Sequence, residues 1–178
     1  LPRQRSKTID KIEKKSNYWR NNQFDNKQIQ QLNNTINQRL TRLTQIRSNV
    51  DTLSIPLSDA LTFYTKTNEL LLSVATIVTN ISTNAEVTKA TVAYYNFIQG
   101  KERAGIERAI LTGTFAADKF NQGMYQKFIK FLTEQNTYFY SFNAFANDEN
   151  KSYFLQKQND PSIKEVTQLR KIAIDNAI

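Results

Sequence analysis

The chain has 178 residues and a net charge of +8, and it contains neither cysteine nor histidine. This removes disulfides, thiolate nucleophiles, most zinc sites and the commonest general base at neutral pH. No isolated pair of carboxylates on an apolar face suggests glycosidase-like chemistry, so the chain is not read as an enzyme and no catalytic residue, cofactor or metal is assigned.

Four glycines and three prolines are all that punctuate long stretches rich in Gln, Lys, Glu, Asn and aliphatic residues. The fold class expected is all-α, an elongated antiparallel helical bundle with one core or two bundles sharing helices. From Pro2 to about Asn22 a basic helix has Ile9, Ile12 and Trp19 as its apolar points. Within residues 1–20 seven cations face two acids. Such a block attracts anions of many kinds. It lacks interleaved aromatics and any nucleic-acid motif, so nucleic acid is not a predicted partner.

The polar break at Asn21 to Asn26 is short enough to turn the next helix back antiparallel. That helix runs to about Leu53 with Ile29, Leu32, Ile36, Leu40, Leu43, Ile46 and Val50 on one stripe. Ile55-Pro56 interrupts it. Ser54 or Ser58 caps a third helix carrying Leu61, Tyr64, Leu71, Val74, Val78 and Ile81, with Asn68 on the same stripe. Thr83-Asn84-Ala85-Glu86 fits a capping box with Thr83 as the cap, and opens a fourth helix reaching about Phe120. Gly100, Gly105 and Gly113 within it mark close approaches or a bend. After Gly123 a fifth helix aligns Tyr125, Phe128, Leu132, Phe139 and Phe142, with Gln135 among them, as a core stripe. Residues 148–160 are polar and read as a loop. Asp160-Pro161 then caps a last helix that runs to the end.

The fourth helix holds the feature of most functional interest. Tyr94, Ile98, Lys101, Gly105, Arg108, Thr112 and Phe115 recur at alternating spacings of four and three, which predicts an inward seam with Arg108 on it. The neighbours of Arg108 one turn away are Ala104, Gly105, Leu111 and Thr112, so no local carboxylate neutralises it. A buried guanidinium then needs an acid from another helix, such as Glu69 or Glu134, or a bound anion. Arg170 repeats the anomaly between Val166 and Ala173. Arg103 is the weaker candidate, because Glu107 one turn along offers it a surface partner. Two functions follow: a sensor that binds a small anion, or a ligand-free helical interaction module whose arginines pair with acids on facing helices.

No stretch reaches the roughly 18 apolar residues of a membrane span, and no charged-then-apolar leader opens the chain. It reads as an excised piece, with any membrane helices outside residues 1–178.

Gly100 to Phe120, GKERAGIERAILTGTFAADKF, followed by Tyr125, Phe128, Leu132, Gln135 and Phe142-Asn143-Ala144-Phe145-Ala146, resembles the nitrate- and nitrite-sensing (NIT) domain. Phe63-Tyr64-Thr65 with Asn68 and Leu70-Leu71-Leu72, and Leu1 to Thr8 reading LPRQRSKT, also look like that family. The resemblance implies one helical sensor domain over residues 1–178, built as two four-helix bundles sharing long helices. It implies nitrate or nitrite held between helices by arginines: Arg108 matches the arginine of the ERA motif and Arg170 lies where the last helix offers another. Members of the family occur in bacterial chemoreceptors, sensor kinases and antitermination regulators. The reading adopted is the periplasmic ligand-binding part of a methyl-accepting chemotaxis receptor of the inner membrane, homodimeric and signalling by helix repacking. The family's N-terminal helix, with its Gln-x-Glu-Arg-Gly-like motif, would precede Leu1, which predicts an incomplete site.

Overall fold

A computed structural model describes residues 2–176 and is 85% helical, with no strand among the described residues. The helices are α1 (Pro2–Asn21), α2 (Lys27–Leu40), α3 (Leu43–Asp51), α4 (Leu57–Ile81), α5 (Ala85–Ala117), α6 (Met124–Phe145), α7 (Asp148–Gln158) and α8 (Pro161–Asp175). They fall into two compact units, Leu1–Phe63 and Tyr64–Ile178. None of the described helices is long and apolar enough to cross a membrane.

The first unit buries Ile36, Leu43, Ile46, Ala60 and Phe63. The predicted stripe is therefore real, but the helix carrying it is broken. Thr41 ends α2, its amide donating to the Asn37 carbonyl while the next amide, of Arg42, donates to that of Arg39. Its hydroxyl bonds the Gln38 carbonyl at 2.7 Å, a local alternative to the helical ladder that favours termination. Arg39 lies over the Phe63 ring at 4.9 Å and donates to the Phe63 carbonyl. Arg5 on α1 grips both oxygens of Asp51 on α3 at 2.6 and 2.8 Å, and these bonds hold the Asp51 carboxyl below its usual range. Neither Ser54 nor Ser58 acts as the predicted cap. Ser54 donates back to the Asn49 carbonyl and Ser58 lies inside the first turn of α4.

The second unit is organised by the antiparallel pair α5 and α6. Asn84, not Thr83, caps α5, its side-chain oxygen accepting from the amides of Glu86 and Val87 at 2.9 and 3.1 Å. Asparagine serves the role as well as threonine does. Asp118 closes α5 in the left-handed region, and Gly123, also at positive φ, opens α6. Phe128, Gln135 and Phe142 are buried on α6 at intervals of seven, as the aromatic stripe predicts. Residues 148–160 are not a loop: α7 occupies most of them, capped by Asn147 onto the Asn150 amide at 2.9 Å, with Asp148 and Glu149 favourably placed in its first turn. The Asp160 side chain caps α8 through the Ser162 amide, as expected.

On α5 the predicted seam is displaced. The buried positions are Ala93, Gln99, Gly100, Glu107, Ile110 and Leu111. Tyr94 is 60% and Phe115 42% exposed, and Lys101, Arg108 and Thr112 also face outward. The inward face is thus one residue, about 100°, from the predicted one. Arg108 is not buried, and Glu107 takes the inward place.

Gly100 is where close approach matters. A Cβ there would lie 2.6 Å from Cε1 of Phe139, whose ring is held against Phe154 at 5.1 Å, whereas Gly105 and Gly113 have open space. Gly100→Ala should therefore destabilise the protein by about 1–3 kcal/mol through overpacking. Gly105→Ala should stabilise it by up to about 1 kcal/mol through helix propensity. Denaturant unfolding of the two variants checks the pair, and equal effects would contradict the α5–α6 packing.

Candidate anion-binding site

Glu107 has only 3% of its surface exposed, and a bare carboxylate cannot remain ionised there without compensation. The compensation comes from two other helices. Arg170 on α8 donates through Nε to Glu107 Oε1 at 2.5 Å and through Nη2 to Oε2 at 2.7 Å. Gln135 on α6 donates to Glu107 Oε2 at 2.9 Å and accepts from Arg170 Nη2 at 2.7 Å. Both carboxylate oxygens and both ends of the carboxamide are used, so the triad is closed. Arg170 does point inward, as its neighbours Val166 and Ala173 predict, but the charge it meets is a carboxylate of the chain itself.

Arg103 is similarly engaged, though not with Glu107. Its Nε donates to Glu134 Oε2 at 3.0 Å, its Nη1 donates to Gln99, and its guanidinium lies 4.9 Å from the centre of the Tyr138 ring. Of the acids proposed from sequence for the buried arginines, Glu134 is used, and Glu69 makes no ion pair among the described residues.

Arg108 is different. Its side chain has no ion pair or hydrogen bond among the described residues, and it opens onto a groove of about 500 Å³ between α4 and α5. Lys101, two seam positions and about two helical turns earlier, lines the same groove and is likewise unpaired among the described residues. The groove's acid, Glu102, is held by Asn68 of α4, whose Nδ2 lies 3.0 and 2.9 Å from its two oxygens. Gly105 leaves the space beside the guanidinium empty. The face has two cations to one acid, with a forked guanidinium whose geometry matches planar oxyanions. Of the three arginines singled out from sequence, only Arg108 is open to a ligand. Glu107 was the residue missed, and its seven-residue interval from Gly100 and Ala93 was the available signal.

The sequence model of the NIT family, described as nitrate and nitrite sensing, matches residues 1–177, running through both compact units. A nitrate regulatory protein of Klebsiella oxytoca is 29% identical over 134 residues, which cover 75% of this chain and 33% of the relative. The chain thus corresponds to about a third of that protein's length. No solved structure gives a significant match.

The triad and the groove predict opposite responses to the same substitution. Arg170→Met strands the Glu107 carboxylate and should cost about 3–5 kcal/mol, and adding Glu107→Leu should recover much of that loss. Arg108→Met, at an exposed unpaired position, should stay within about 0.5 kcal/mol of the parent protein. Urea melts of the three variants measure these differences. A tolerated Arg170→Met would contradict the triad.

Proposed function

Because the chain belongs to the NIT family of nitrate- and nitrite-sensing domains, we propose that it binds nitrate or nitrite in the α4–α5 groove, with Arg108 as the principal ligand and Lys101 beside it. The observation that carries this reading is that Arg108 alone of the three candidate arginines presents an unneutralised guanidinium to open space. Arg103 and Arg170 serve the site indirectly, by holding α5 against α6 and α8 through their own carboxylates. Their ion pairs have the character of the ligand-free interaction module, while Arg108 has that of a sensor.

Binding here involves no chemistry. The anion, with its single negative charge, sits against the Arg108 and Lys101 cations on α5, next to the Asn68 to Glu102 bond that ties α4 to α5. Signalling follows when two packings of these helices differ in anion affinity, since a ligand that binds both equally shifts nothing. Two settings fit such a sensor. In a chemoreceptor it stands outside the cytoplasm as a homodimer joined to membrane helices, a setting that rests on the family resemblance. In a regulatory protein it governs an output domain of the same polypeptide. The name of the Klebsiella oxytoca relative favours the second setting and supports nitrate as the ligand.

Nitrate at about 100 times its dissociation constant should stabilise the protein by roughly 2.7 kcal/mol, and chloride at equal concentration should do less. Arg108→Met should abolish the nitrate effect while leaving ligand-free stability unchanged, and Lys101→Gln should weaken it. Thermal melts with and without each salt are the measurement. A nitrate effect that survives Arg108→Met would move the site elsewhere.

A further inference from the structure

A second cavity, of about 710 Å³, opens where α5, α6 and α7 meet, apart from the groove proposed for nitrate. It involves residues 86–97 of α5, whereas the anion groove involves residues 98–108. Three phenylalanine rings that touch one another form its inner wall: Phe97 with Phe142 at 5.4 Å, Phe142 with Phe154 at 5.1 Å and Phe97 with Phe154 at 6.2 Å. Ala93 and Ala146 are buried among them, and their small side chains leave depth where larger ones would fill it.

The outer wall is aromatic too, and unusually bare. Tyr153 is 61% and Phe145 43% exposed, and Tyr94 stands beside them. Leaving that much apolar surface in water around one concavity forgoes roughly 25 cal/mol for each Å² that a ligand would cover. Contiguous exposed patches of this kind mark binding sites. The volume falls within the roughly 300–1,000 Å³ range of small-molecule sites. A bare inorganic anion would gain nothing from such walls.

The mouth defines the polar end of the ligand. Lys89 and Lys157 both line it and neither has a salt bridge among the described residues, although Lys157 also acts on Asp160 at a longer range, and Glu86 is the single acid in the lining. Lys157 Nζ lies 5.3 Å from the centre of the Tyr153 ring, so the ammonium stands over the aromatic rim. Rings favour edge-to-face and offset contacts with other rings, and two ammonium groups without a salt bridge favour one carboxylate.

We propose that this cavity is a second ligand site, independent of the anion groove, that takes a small aromatic carboxylate. The ring system lies against Phe97, Phe142 and Phe154, and the carboxylate is held by Lys89 and Lys157.

Calorimetric titration of the protein with 2-naphthoate tests this, with 2-naphthalenemethanol as the uncharged isostere. Naphthoate should bind saturably, and more tightly than the alcohol by about fivefold at low salt. The double variant Lys89→Gln, Lys157→Gln should remove that advantage without changing the alcohol's affinity. Ala90→Trp, at an exposed position lining the cavity, should fill it and abolish binding of both compounds. Should that variant melt at a lower temperature than its parent, Tyr153→Ala gives the same reading by weakening both compounds. In every variant the stabilisation by nitrate should be retained, which separates this site from the anion groove. Unsaturable binding, equal affinity for acid and alcohol, or naphthoate binding that survives the filled cavity would overturn the proposal.

Discussion

The carboxylate of Glu107 is the constraint on which the second unit depends. A one-residue rotation of α5 would carry it outward and bring Arg108 in. The two registers are not equivalent in energy. With Arg108 inside, its neighbours on α5 supply no acid. With Glu107 inside, Arg170 and Gln135 close four hydrogen bonds among three helices. Removing one partner of such a buried pair costs about 3–5 kcal/mol, a large part of the stability of a domain this size. The register that satisfies Glu107 also turns Arg108 toward α4. The stability of the core and the exposure of Arg108 are thus one choice of helix phase.

The triad lies within an apolar frame. Along α5 it falls between the cluster of Ala93, Phe142 and Ala146 and the cluster of Ile110, Leu111, Phe128 and Ala173. Antiparallel α6 meets the same layers in reverse, through Phe142, Gln135 and Phe128. Apolar layers alone tolerate small shifts of register, whereas a polar layer that must satisfy every donor and acceptor does not. At Gly100 the missing side chain lets α5 approach Phe139, and a larger residue there would push the helices apart next to the triad.

The parts of this fold readable from sequence are those where one signal dominates. On α6 Phe128, Phe139 and Phe142 share one stripe with Leu132, so Phe128, Gln135 and Phe142 could be placed inward although Tyr140 lies outside it. Asp160-Pro161 marked the start of α8 without competition. α5 was misread because its large apolar residues occupy several faces. Tyr94 and Phe115 are exposed while Phe97 packs inward, so a seam drawn through the aromatics takes the wrong phase. Pairing Arg103 with Glu107 along the helix then hid the buried acid, because the contacts that decide both residues come from α6 and α8. α7 escaped notice for a different reason. It has no fully buried residue and little periodicity, and it is held by the Asn147 cap, the acids that follow and one ring, Phe154, packed against Phe139 and Phe142. The site was legible as a question about three arginines. Which of them is open depended on partners 31 and 63 residues away.

These ties also bear on how an anion at Arg108 would act on the helices. Rotating α5 would break the triad, so the binding of one small ion offers too little to drive that motion. The link between α4 and α5 beside the groove is weaker: a partly buried bond from Asn68 to Glu102, of a kind that contributes about 1.5–3 kcal/mol. An anion placed between Arg108 and Lys101 changes the electrostatic field at Glu102 and competes for the same cations that flank it. Under the proposed function, the element free to respond is therefore the Asn68 segment of α4, moving against an α5 whose phase is held by Glu107.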